Sequence, residues 1–164
     1  MTFEEVKAKF LGMTSPPEVL DVEKGSAKRY AVAVDDLNPL YLDEEYARST
    51  KYGVTLAPPG FFGWPVKQPG PMLPQLVKDV MDALHEAGFP DILDGGSDFE
   101  FLIPVRAGDT LVATRKVADM SSRGGSGGRQ MAFSVIESTF TNQNGQLAVR
   151  LRQTLIALTP APKS

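Results

Sequence analysis

Apolar positions recur at helical spacing through the first half of the chain and alternate through its last third. Phe3, Val6 and Phe10 share one face of a short helix over 3–11. Thr14-Ser15-Pro16-Pro17 breaks it, and Glu18 to Val22 fits a short strand. Ser26 stands where an N-cap belongs, before a helix with Ala27, Tyr30, Ala31 and Val34 on one face. That helix should end near Asp35-Asp36, because the residue ahead of Pro39 avoids helical angles. Asp43 can cap a further short helix through Glu44, Tyr46 and Ala47, with Glu44 and Arg48 four apart in the favourable order.

Residues 54–66 are apolar and small, with Leu56, Ala57, Phe61, Phe62, Trp64 and Val66, so a buried helix is predicted that Pro58-Pro59 could open. After the break at Gln68-Pro69-Gly70-Pro71, the spacing of Leu73, Leu76, Val77, Val80, Met81 and Leu84 predicts an amphipathic helix ending near Gly88. Phe99, Phe101, Ile103 and Val105 then alternate as in a strand. Thr110 to Val117, Gln130 to Thr141 and Leu147 to Leu158 give three more, with Asn142-Gln143-Asn144-Gly145 as a tight turn. The order predicts a single α+β domain over 1–164, an antiparallel sheet covering a buried central helix. About 67–97 reads as a long insertion that covers a channel or joins a dimer surface, and 160–164 as a loose tail.

Composition narrows the chemistry. The 164 residues suit one domain, and 42% hydrophobic with 23% charged is the balance of an ordinary globular protein. With no cysteine, disulfides, thiol nucleophiles and cysteine-held metals are excluded. A formal charge of −3 disfavours nucleic acid as a partner. No apolar run approaches the roughly 18 residues of a membrane span, and the acidic, amphipathic start is unlike a secretory signal, so a cytoplasmic location is expected. The single histidine, His85, forbids any site built on two.

Two blocks then carry a resemblance. The run Tyr30-Ala31-Val32-Ala33-Val34-Asp35-Asp36-Leu37-Asn38-Pro39-Leu40-Tyr41-Leu42-Asp43 resembles the signature of MaoC-like hydratases and dehydratases, and Tyr52-Gly53-Val54-Thr55-Leu56-Ala57-Pro58-Pro59-Gly60-Phe61 resembles the block that follows it. Asn38-Pro39-Leu40-Tyr41 and Ala57-Pro58-Pro59 are closest to the N-terminal, FAS1-like branch, and the segments from Phe99 to Leu111 and Gln153 to Leu155 also fit. The resemblance covers about 17–158. It implies the hotdog fold, with the central helix near 58–67. It also implies addition or removal of water on an enoyl or 3-hydroxyacyl thioester of CoA or acyl carrier protein, with no metal or redox cofactor. In such enzymes an Asp and a His five residues later handle the water and the second proton. A backbone N–H from a His-Gly block supports the thioester oxygen, where charge develops.

Only part of that set is present. Asp36 matches the catalytic Asp, but Tyr41 stands at the His position. A phenol, with a pKa near 10, is a poor base at neutral pH. Pro58-Pro59 stand at the His-Gly position, and proline has no N–H. The resemblance therefore implies a degenerate, substrate-binding half of a heteromeric (R)-specific hydratase, paired with a complete Asp/His hotdog subunit. A self-sufficient homodimeric hydratase or thioesterase using Asp36 and a non-catalytic acyl-CoA binding protein are the alternatives. Asn38, Tyr41, Pro59, Gly60, Phe61 and Trp64 are the candidate substrate contacts.

Each candidate also has a plain structural reading. Asp36 could make Asx-type hydrogen bonds toward Asn38. Tyr41 could fill the histidine space and hydrogen-bond to Asp36 or backbone. Phe61, Phe62 and Trp64 suit a core, His85 suits a helix end, and Arg123-Gly-Gly-Ser-Gly-Gly-Arg129 lacks the ending of a phosphate loop. Arg150 and Arg152 share one strand face and suit surface ion pairs.

Overall fold

A computed structural model describes residues 1–62 and 73–161. The helices are α1 (Phe3–Phe10), α2 (Lys24–Ala33), α3 (Pro39–Leu42), α4 (Glu44–Ser49) and α5 (Gln75–Glu86). The strands are β1 (Glu18–Asp21), β2 (Asp91–Phe101), β3 (Thr110–Gly124), β4 (Gln130–Asn142) and β5 (Leu147–Leu158). They form one five-stranded sheet in the order β1-β3-β4-β5-β2, and every neighbouring pair is antiparallel.

Helix α5 lies against one end of the sheet. Leu76, Val77, Val80, Ala83 and Leu84 form its buried face and meet Val117 and Met120 of β3, Ala132 and Ile136 of β4, and Leu155 and Ala157 of β5. Val80 and Leu84 are fully buried, and each such side chain contributes about 1.5–3 kcal/mol. Val6 and Phe10 of α1 close the same cluster. A second cluster covers the other end of the sheet. It joins Val22, Ala27, Ala57, Phe61 and Val105 to Leu111, Ala113, Phe140, Val149 and Leu151. This α+β arrangement, a sheet against a helix, is the hotdog architecture.

The elements depart from expectation in places. Of the buried helix expected near 58–67, Pro59–Phe62 is a 3₁₀ turn and the rest lies outside the described residues. The helix seen on the sheet is α5. From residue 73 onward the expected insertion supplies regular elements, the core helix α5 and the largely exposed first part of β2. β2 begins at Asp91 and stops at Phe101, leaving Ile103 and Val105 beyond it. Glu23, rather than Ser26, caps α2, because its carboxylate reaches the amides of Gly25 and Ser26 at 2.8 and 2.6 Å.

Candidate functional site

The end of α2 sets the position of Asp36. Val34 closes the helix and Asp35 turns into the left-handed region, with φ of 58°. The Asp35 N–H donates to the Val32 carbonyl and the Asp36 N–H to the Ala31 carbonyl. These are the two hydrogen bonds of a Schellman cap, which aims the chain away from the helix just where Asp36 begins. Asp36 is half-buried, and its Oδ1 accepts the Asn38 N–H at 3.4 Å, the Asx geometry. Asn38 in turn caps α3, its Oδ1 accepting the Leu40 N–H at 3.0 Å, with Pro39 at the first helical position. Asn38 is exposed, and its side-chain oxygen is engaged in that cap.

Tyr41 lies on this one-turn helix, half-buried. Burial first, then the nearby Asp36 and Tyr52, push its phenol above the ordinary 10.0. The group therefore stays protonated at neutral pH and can donate a proton to a hydrogen bond but cannot take one as a base. The expected hydrogen bond from Tyr41 to Asp36 or backbone does not occur among the described residues.

The second block is pinned from two sides. The Leu56 N–H donates to the Leu40 carbonyl at 3.0 Å, which ties the block to α3 and Tyr41. On the other side Ala57 N–H donates to Val105 O and Ala107 N–H to Thr55 O, each at 2.9 Å. β2 has already stopped at Phe101, and past Pro104 Arg106 bridges to Leu56 of this block. Pro58 is fully buried, whereas Pro59 is exposed. The first backbone N–H after Ala57 belongs to Gly60. Phe61 is 3% exposed and packs into the second cluster. Trp64 lies outside the described residues.

Two residues at the site were not singled out by sequence. Tyr52 faces Tyr41 closely enough to influence its proton. Tyr30, on α2, brings its hydroxyl against Gly60: a Cβ on Gly60 would stand 2.1 Å from that oxygen. The Tyr30 ring meets Phe61 edge-on, with centroids 6.0 Å apart. Three of the chain's four tyrosines, Tyr30, Tyr41 and Tyr52, thus lie within the two family-like blocks, and Tyr30 meets the turn that carries the two prolines. Their abundance beside the family motifs was the available signal.

The other candidates lie elsewhere. His85 is exposed in the last turn of α5. Arg129 pairs with Asp91 and donates to the Thr159 carbonyl, and Arg123 lies over the Phe133 ring at 4.5 Å, so both arginines of the glycine loop are used within the chain. Arg150 pairs with Glu100 and Arg152 with Glu137. Among the described residues no cluster of His, Asp or Glu could hold a metal ion, and no helix is long and apolar enough to cross a membrane.

Comparison with known proteins bears on the family and the fold. A protein of Streptomyces avermitilis described as a UPF0336 protein is 33% identical over 120 residues, 71% of this chain and 74% of its own length. A probable enoyl-CoA hydratase alpha subunit of Thermomonospora curvata is 25% identical over 140 residues, 81% of this chain and 44% of the relative. Among solved structures, a chain of the C-terminally truncated HadBC (3R-hydroxyacyl-ACP dehydratase) complex of Mycobacterium tuberculosis superposes with a TM-score of 0.68. It is 26% identical and covers 90% of this chain and 96% of its own. The family model of the FAS1-like dehydratase domain region matches residues 9–151. With both sequence blocks and strands β1 to β4 inside that match, the chain belongs to the FAS1-like dehydratase domain family.

Proposed function

We propose that this chain is the degenerate, substrate-binding subunit of a heteromeric (R)-specific hydratase-dehydratase. It holds an enoyl or 3-hydroxyacyl thioester of CoA or acyl carrier protein while a complete hotdog partner supplies the Asp and His. The observation that carries this reading is Tyr41 beside Asp36: a phenol held above its ordinary pKa occupies the place where hydration needs a base near neutral pH. The absent N–H at Pro58 and Pro59 points the same way, because it removes the donor for the oxyanion.

A partner is supported by two surfaces. β2 pairs only with β5, so among the described strands its other edge of eleven residues is open. Val32, Val34 and Leu37, beside Asp36, are 58%, 50% and 60% exposed, an apolar patch suited to an interface. The likeness to a chain of the HadBC complex is consistent with a heteromer.

Co-expression with a hotdog chain that carries Asp and His tests the proposal. The expected result is a 1:1 complex that hydrates trans-2-enoyl-CoA, loses that activity when the partner's His is replaced, and keeps it in Asp36→Asn. Failure to associate, or activity that depends on Asp36, would contradict it.

A further inference from the structure

The two prolines leave the candidate site short of a hydrogen-bond donor, and the structure places another one there. Tyr30 is half-buried on α2, and its hydroxyl occupies the space that a side chain on Gly60 would fill. The Cβ position at Gly60 lies 2.1 Å from the hydroxyl oxygen and 3.1 Å from Cζ, so only glycine allows the phenol to approach this turn. The ring is held by its edge-on contact with Phe61, whose side chain is in the core. A phenol with few rotatable bonds, braced in this way, is a preorganised donor. Its hydroxyl hydrogen-bonds to no group among the described residues, although Tyr30 packs against the buried cluster around Phe61. An unpaired hydroxyl on a half-buried residue is free to donate to a ligand.

We propose that the Tyr30 hydroxyl donates to the carbonyl oxygen of a bound acyl thioester the hydrogen bond that Pro58 and Pro59 have withdrawn from the backbone. The assignment rests on the acyl-thioester reading above and names the group that recognises the thioester itself. In this role Tyr30 is a binding residue. A neutral donor polarises the carbonyl and fixes its direction without moving a proton.

Calorimetric titration of the purified chain with butyryl-CoA and with S-butyl-CoA, the thioether that lacks the carbonyl, tests this. Wild type should bind the thioester about fivefold to tenfold more tightly, the worth of one neutral hydrogen bond. In Tyr30→Phe the ratio should fall to about one, with thioether affinity unchanged. The carbonyl carbon of labelled butyryl-CoA should shift downfield on binding to wild type and not to Tyr30→Phe, a signature that a packing role would not produce. An unchanged ratio in Tyr30→Phe, or a ratio of one in wild type that binds both ligands, would overturn the role of Tyr30 and leave the acyl-thioester reading standing. Wild type that binds neither ligand would overturn both.

Discussion

The Asp36 amide donates to the Ala31 carbonyl at 2.9 Å, so the helix end itself holds Asp36 in place. This requires Asp35 to take a positive φ of 58°. An L-residue in that region is strained, though Asp tolerates it better than most. Asp35→Gly should therefore leave stability unchanged or raise it by up to about 1 kcal/mol, while Asp35→Val should cost about 1–2 kcal/mol. Urea denaturation of the two variants reads both. A Val variant as stable as wild type would mean that the turn adapts and that Asp36 is not fixed by it.

The approach of Tyr30 to Gly60 has a consequence for stability that is separate from binding. Gly60→Ala forces a methyl group to within 2.1 Å of the phenol oxygen and should cost about 1–3 kcal/mol. Tyr30→Phe removes that oxygen but leaves Cζ at 3.1 Å, so the double variant should recover part of the loss. A double-mutant cycle should give a coupling of at least about 0.5 kcal/mol, as for residues in contact. Strict additivity would show that the two residues do not touch in solution.

Tyr41 makes a signed prediction in alkali. Its folded pKa is raised, with burial as the main cause, so the fold favours the protonated phenol. That contribution is complete below the unfolded value near 10 and is lost as pH rises through the higher folded value. Stability should therefore fall with pH above about 10, and Tyr41→Phe should flatten this part of the profile. Thermal melts between pH 9 and 11.5 provide the comparison. An identical slope in the variant would place Tyr41 in water.

Much of the fold was legible because local pattern and tertiary structure agreed. β5 runs over Leu147–Leu158 as its alternation predicts, and α5 follows the apolar spacing closely. β2 was harder to see: Asp91-Ile92-Leu93-Asp94-Gly95-Gly96-Ser97-Asp98 has little strand character of its own and is extended because β5 pairs with it on both sides of a bulge. β3 continues past Val117 because a bulge there shifts the alternation by one residue. That Asp36 and Tyr41 lie near each other was legible through the resemblance of their block to the family signature, although the hydrogen bond expected between them does not form among the described residues. The approach of Tyr30 to Gly60 was not, since thirty residues separate them and only the packing of α2 on the second cluster brings them together.

The proposed division of labour leaves this chain alone without a complete hydration site. A hydration assay of the purified chain on short and long trans-2-enoyl-CoA, following loss of the enoyl-thioester absorbance, tests it most directly. No turnover above the uncatalysed background is expected until a hotdog chain with Asp and His is added. Turnover by the pure chain at about 1–1000 per second, abolished in Asp36→Asn, would contradict it and would show that Asp36 completes a site without a histidine.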